Sequence, residues 1–350
     1  MALFVFGAGA TRGCSFVDGT VDPCLPPLDA DFFTQLQKVR NPKHRQRIKD
    51  VMKDVVDLFG QNFSVSMETV FTTLENTIRM LETTGDNRDF KKSQLKEKLQ
   101  RLEQAIAVVF EDSLAQKDKD GHSSWKPKMC SYHRRFVKEI LIPEDDIISF
   151  NYDCVLDYAL REHGNAKWNP RYGYSFKLGS KGKLLTGDEH WRPSKPANES
   201  ETVRLYKLHG SLHFQISGDE SRSKVRLKQR PYTGQFGGMR FTIIPPEWHK
   251  AYDKGAFALL WKNAAGAIQK ARHIVFLGYS LPSADLHASA LFQTSVRKTS
   301  LKSLVVVNPD RDARKRIRTV LQRGLNRDTV VLSFDSFQHF VSARRELWEK

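Results

Sequence analysis

The last third of the chain constrains the fold most. HIVFLG (273–278), SLVVVNPD (303–310) and TVVLSF (329–334) are short runs dominated by apolar, mostly β-branched residues. Each is followed by a stretch at helical spacing: PSADLHASALFQTSV, DARKRIRTVLQRG and DSFQHFVSARRELW. A strand apolar on both sides needs cover on both sides, and this is how strands of a parallel sheet read. Strands alternating with helices predict an α/β fold, a Rossmann-like parallel sheet with helices on both faces. The start, LFVFGAGATRG, fits the same scheme, with a strand over 3–6 and a glycine-rich turn over 7–13. IISF (147–150) predicts another buried strand, and RLYKLHGSLHF (204–214) a strand, a turn and a second strand.

Between the first two strands the pattern changes. Ile48, Val51, Val55 and Leu58 fall at helical spacing, as do Val70, Phe71, Leu74, Ile78 and Leu81. Leu95, Leu99, Leu102, Ile106 and Val109 make a third stripe. Such stripes are the packed faces of amphipathic helices. The expected organisation is a Rossmann-type domain built from 1–29 and 127–350, interrupted by a mostly helical insertion at 30–126. QKDKDGHSSWK (116–126) reads as a polar loop, and 179–201 and 217–240 as surface excursions. The second excursion carries Arg222, Lys224, Arg226, Lys228 and Arg230.

Composition narrows the class. The 350 residues are 40% apolar and 27% charged, as in soluble globular proteins. No run approaches the ~18 apolar residues of a membrane helix. No basic segment precedes the apolar start, so no signal peptide is expected and a cytoplasmic location is. Four cysteines, Cys14, Cys24, Cys130 and Cys154, are scattered without a CxxC pair, which predicts reduced thiols and no metal site. The net charge of +16 fits nucleic acid, an acidic partner or anionic ligands. The basic residues form no strong block, so nucleic acid is the less favoured partner.

Five stretches can carry chemistry. In GAGATRG, a strand running into glycines before a helix lets backbone N–H groups approach a pyrophosphate. Gly7 and Gly9 fit the G-x-G-x-x-G pattern, but Gly13 falls one place late and Arg12 stands in its stead. The same residues also suit a plain strand-to-helix turn. FNYD (150–153) puts Asn151 and Asp153 at a strand's carboxyl end, facing a ligand crevice or capping the next helix. KLHGS places His209 where an imidazole can move protons near neutral pH, or serve as a structural turn residue. His213, on the following strand, reads as structural. GYSLPSAD brings Gly278, Ser280 and the helix-opening Asp285; VVNPD brings Asn308.

In this order the stretches resemble the sirtuin-like NAD-consuming family, and most closely the SIR2-like domains of bacterial anti-phage defence systems. SMETVFTTLE (66–75) and IIPPEWHK (243–250) resemble that branch too. The resemblance implies NAD+ as substrate. Gly7, Ala8, Gly9, Ala10 and Thr11 would hold its pyrophosphate, with Thr11 where sirtuins usually have Ser. Asn151 would place the attacking water, with Asp153 near the ribose. His209 would be the catalytic histidine, and Gly278, Ser280 and Asn308 would line the adenosine half. The paired-cysteine zinc module and the Pro-Asp-Phe-Arg run of deacetylating sirtuins are missing. Both losses argue against deacetylation and leave cleavage of the nicotinamide–ribose bond intact. A protein deacylase or ADP-ribosyltransferase using the same NAD site is the alternative, and the acceptor decides between them. Two non-enzymatic roles are the further alternatives. One is an NAD or ADP-ribose binding module without turnover, against which the presence of both Asn151 and His209 speaks. The other is a basic nucleic-acid-binding component, which the net charge of +16 suggests. The resemblance also implies a homo-oligomer, gated by assembly or by a partner such as a HerA-type ATPase.

Overall fold

The computed structural model describes all residues except 20, 22, 85–88, 118–122, 180–184, 218–223, 233–241, 244–254, 344 and 350. Most of the run 243–250, and parts of both expected excursions, lie outside the described residues.

The chain opens with β1 (Ala2–Phe6) and a short helix α1 (Ala8–Arg12). Four helices follow: α2 (Phe32–Gln37), α3 (Arg45–Phe59), α4 (Met67–Thr83) and α5 (Asp89–Leu114). Antiparallel strands β2 (Ala115–Lys117) and β3 (Ser123–Pro127) stand at the ends of the stretch read as a polar loop. Short polar strands without alternation give no pattern to read. Helix α6 (Ser131–Arg135) continues as a π-helical turn to Ile140, and β4 (Asp146–Ser149) and α7 (Val155–His163) come next. After α8 (Pro170–Gly173) come β5 (Leu185–Thr186), β6 (Arg204–Lys207), β7 (Gly210–Ser211), β8 (Phe214–Ser217), β9 (Lys224–Lys228) and β10 (Thr242–Ile243). Then α9 (Gly255–Lys270), β11 (His273–Leu277), α10 (Leu286–Ser295), β12 (Ser303–Val307), α11 (Arg311–Val320), β13 (Val330–Phe334) and α12 (Phe337–Ser342) close the chain. The closing helix is shorter than its sequence pattern, since Ala343 turns to extended backbone.

Among the described residues, six parallel strands form the central sheet in the order β13–β12–β11–β1–β4–β6. Counted along the chain, these are strands 6-5-4-1-2-3, the order of a doubly wound dinucleotide-binding sheet. Both faces are covered from β12 to β6, as the apolar runs require. The edge strand β13 leaves Val330 and Val331 exposed, because an edge strand has a sheet neighbour on one side only. Successive side chains of a strand alternate between faces. Phe4 and Phe6 of β1 meet the Phe136 ring, with centroids 4.9 and 5.2 Å away. Phe6 also meets Phe337 of α12 at 5.9 Å. On the opposite face Phe276, in register with Val5, packs on Phe292 of α10 at 5.2 Å. Truncating a fully buried ring such as Phe4 costs about 3–5 kcal/mol.

The connection from β1 to the neighbouring β4 carries α2–α5. Arg101 of α5 grips Asp54 of α3 at 2.7 and 3.1 Å, fastening those two helices. Among the described residues, β5–β9–β8 form a second, three-stranded antiparallel sheet. Within the 179–201 stretch, Trp191 is fully buried and its indole N–H donates to the Lys228 carbonyl at 3.0 Å.

Candidate functional site

Strand order reverses between β1 and β11, and open α/β sheets bind ligands in the crevice at that switch point, beyond the strands' carboxyl ends. Two turns meet there. The Gly7 N–H donates to the Leu277 carbonyl at 3.0 Å and the Gly9 N–H to the Gly278 carbonyl at 2.9 Å. A Cβ on Gly7 would fall 2.4 Å from the Tyr279 Cα, and one on Gly278 2.1 Å from the Ala10 nitrogen. Gly278 also has φ +64°, a conformation that favours glycine. The glycines therefore lock one turn against the other, and the Gly7 and Gly9 N–H groups are already engaged. The late Gly13 closes α1, its N–H donating to the Gly9 carbonyl at 2.9 Å. Arg12 pins the proline-rich loop by donating to the Pro26 carbonyl and to the Asp31 carboxylate.

Beyond this junction opens a cavity of about 690 Å³, within the ~300–1,000 Å³ usual for small-molecule sites. Of the residues singled out in sequence, Ala8, Gly9, Ala10, Thr11, Asn151, Asp153, His209, Gly278, Ser280 and Asn308 all line it. Gly7 is not part of the lining and contributes through its carbonyl and the turn contact.

Asn151 is held from both sides of the switch point. Its side-chain amide donates to the Gly7 carbonyl at 3.1 Å and to Thr11 Oγ1 at 3.2 Å. Thr11 spends its proton on Asp153 Oδ2 at 2.7 Å, so it must accept from Asn151. That chain of donors fixes which way the amide points. Asn151 Oδ1 is then left buried without a hydrogen-bond partner among the described residues. Asp153 does the capping that the sequence left open: its Oδ1 accepts from the Val155 N–H at 2.9 Å, at the start of α7. Burial pushes the Asp153 carboxyl above its usual range. Asn308 is similarly occupied, accepting from the Asp310 N–H at 2.9 Å.

His209, 5% exposed, lies with Nε2 3.4 Å from Asp285 Oδ2. Asp285 accepts from the Ala288 N–H at 3.2 Å and from the Tyr279 hydroxyl at 2.8 Å, so cap and phenol hold the carboxylate opposite the imidazole. Phe150 meets the His209 ring edge-on at 5.0 Å and stacks on Tyr279 at 4.2 Å. In sequence Asp285 reads only as a helix opener. The GYSLPSAD stretch held the signal, but no pattern tied it to a histidine 76 residues earlier.

The outer wall comes from the helical segment, through Phe32, Met67, Glu68 and Phe110. Ser66 caps α4 by accepting from the Thr69 N–H at 3.2 Å, which sets Met67 and Glu68 in its first turn. Asp29, also in the lining, accepts from the Glu68 N–H at 2.8 Å. This contribution is a product of packing between distant segments.

Behind the site lies a sealed polar cluster. Lys207 Nζ, buried, is 2.8 Å from Asp157 Oδ2 and donates to the Asp153 carbonyl at 2.5 Å. Burial opposes both charges, yet their mutual attraction raises the Lys207 pKa and lowers that of Asp157. His213 sits beside them, fully enclosed, 2.8 Å from Ser211 Oγ and 3.0 Å from the Tyr174 hydroxyl. Burial drives its pKa down to about 3.

Without close cysteine pairs the sequence predicts no metal. The fold nevertheless gathers Cys14, Cys130 and His133, whose ligand atoms lie within 4.8 Å of one another. No helix among the described residues is long and apolar enough to cross a membrane.

A doubly wound sheet with a ligand-sized cleft at its switch point defines an α/β protein of the Rossmann-like class. Residues 145–330 match the SIR2-like domain. That is more than half of the chain, and the chain belongs to the SIR2-like family. The family points to an NAD-related function. The match begins at Asp145, so the glycine turn of residues 7–13 joins the site through the fold. No curated protein matches the chain.

Proposed function

We propose that the chain is an NAD+ glycohydrolase, cleaving the nicotinamide–ribose bond to give nicotinamide and ADP-ribose. The observation that carries this reading is the Asn151 carboxamide. Its nitrogen is fixed by Gly7 and Thr11, while its buried oxygen, at the cavity, has no donor among the described residues. A buried acceptor without a donor is costly unless a ligand or water supplies one. A water or ribose hydroxyl donating to Oδ1 removes that cost.

In the reaction the glycosidic C–N bond breaks and its electron pair leaves with neutral nicotinamide. Positive charge develops on the ribose. The water oxygen bonds to the anomeric carbon and gives up a proton. Asn151 orients that water, which converts a bimolecular encounter into a positioned one. Asp285 only accepts, so it favours the His209 tautomer with the proton on Nε2, leaving Nδ1 as the basic nitrogen for the proton released. Phe150, Tyr279 and Phe110 give the cavity apolar walls, and a substrate seated against them is shielded from bulk water. The resemblance to defence-system domains makes NAD+ depletion during phage infection the setting for this reaction, restrained by self-assembly or a partner subunit.

The test is NAD+ consumption by wild type and Asn151→Ala, with NAD+ protection in a thermal melt as the second readout. Removing one oriented group of this kind costs about 10²–10³-fold in turnover. Protection in wild type with free nicotinamide released supports the reading. Transfer of ADP-ribose to a peptide, or no NAD+ protection at all, overturns it.

A further inference from the structure

We propose that Cys14, Cys130 and His133 form a zinc-binding site that ties the end of α1 to α6. None of the three takes part in the proposed hydrolysis. Cys14 lies just past Gly13, the C-cap of α1, Cys130 is the residue before α6, and His133 lies in the first turn of α6. Cys130, the extended N-cap residue, and His133 are three residues apart at the start of α6, and Cys14 arrives from more than a hundred residues earlier.

The geometry is that of a tetrahedral zinc centre. The two sulfurs and one ring nitrogen all lie within 4.8 Å of one another. Cys14 Sγ is 3.6 Å from His133 Nδ1. With Zn–S of about 2.3 Å and Zn–N of about 2.0–2.1 Å at a tetrahedral angle, sulfur and nitrogen stand about 3.6 Å apart. The three residues are buried, and both cysteines are free thiols. Two thiolates and an imidazole are a soft set that selects zinc over magnesium or calcium.

The surroundings serve the same end. Cys130 Sγ accepts from the Ser15 N–H at 3.4 Å and from its hydroxyl at 3.7 Å, which favours a thiolate. The Ser15 hydroxyl also accepts from the Ser131 N–H at 2.8 Å, so the two turns that carry the sulfurs are already joined. The His133 ring is held between Phe6 at 5.8 Å and Phe337 at 4.8 Å. With three protein ligands, the fourth position falls to a water or to the Ser15 hydroxyl. Half-buried Ser15 and exposed Ser131 give the ion a way in. Phe337 also lines the main cavity, so metal at this site stiffens one cavity wall.

The experiment uses the full chain, stripped with a chelator under reductant and titrated with Zn2+ and with Co2+. The expected result is one equivalent of zinc per chain, and with Co2+ a thiolate-to-metal charge-transfer band plus intense tetrahedral d–d bands. Cys130→Ala and His133→Ala lose these bands, while Cys24→Ala keeps them. Zn2+ also slows alkylation of Cys14 and Cys130, mapped by peptide mass, and leaves the rates of Cys24 and Cys154 unchanged. That measurement on wild type holds even if a variant fails to fold. A folded wild type without the charge-transfer band, a band that survives Cys130→Ala, or alkylation of Cys14 and Cys130 indifferent to zinc overturns the site.

Discussion

Two histidines four residues apart in LHGSLHF meet opposite fates. His209 lines the cleft, faces one carboxylate and touches an aromatic wall. His213 is sealed among Lys207, Asp157, Tyr174 and Ser211, and burial keeps it neutral through most of the pH range. A proton carrier must reach substrate and change charge near working pH; a structural imidazole must do neither. The difference comes from position. His209 stands just past the carboxyl end of β6, where the sheet opens. His213 lies beyond the turn, directly before β8, its carbonyl accepting from the Lys228 N–H at 2.8 Å.

The largest expected effect tests this contrast directly. His209→Ala lowers NAD+ turnover by about 10²–10⁴-fold while the thermal midpoint stays near wild type. His213→Ala does the reverse: the midpoint falls, and turnover per folded molecule is kept. Equal loss of turnover in both variants would break the comparison. Next comes Lys207→Met, which leaves Asp157 charged and unpaired in the interior. About 3–5 kcal/mol of stability goes, read by urea unfolding.

A smaller effect appears with pH. His213 has a folded pKa of about 3 against an ordinary 6.5, so the unfolded chain binds the extra proton between those values. Stability from this group is complete above about pH 6.5 and declines as pH falls toward 3, by at most about 1.4 kcal/mol per unit. The depressed Asp157 adds a further loss only below its ordinary value of 3.8. Melting midpoints across pH 4–7 check this, and His213→Gln flattens the profile. The smallest effect is Asn308→Ala. Its loop hydrogen bonds to Asp310 and Tyr279 account for about 1 kcal/mol. NAD+ protection that survives this change marks Asn308 as a loop brace; protection that vanishes marks it as a ligand contact.

Much of the fold was legible in the chain, for physical reasons. Strands buried on both faces, such as SLVVV, must be apolar throughout, so the parallel sheet shows itself. Asn151 and His209 stand out because polar groups follow apolar runs at strand ends. Other features leave no local trace. The β2 and β3 strands are polar and short. Met67 and Glu68 lie in the SMETVFTTLE stretch that the resemblance marks, and Phe110 follows a helical stripe, but nothing local says that they line a cavity; packing brings them there. Of the Cys14–Cys130–His133 group only the Cys130-x-x-His133 pair is local; Cys14 joins it through the fold, so no cysteine pair announces the site. Gly7 reads in sequence as part of a phosphate loop and Gly278 as lining for the adenosine half, yet part of their work is contact between two turns.

That backbone-to-backbone junction has a consequence for how such a cleft changes over time. Its floor offers almost no side chain to vary, and any atom added there displaces main chain. Tuning of ligand preference is pushed onto the outer wall, where Met67, Glu68 and Phe110 belong to helices α4 and α5 and not to the sheet. Variant libraries aimed at selectivity belong on those three positions.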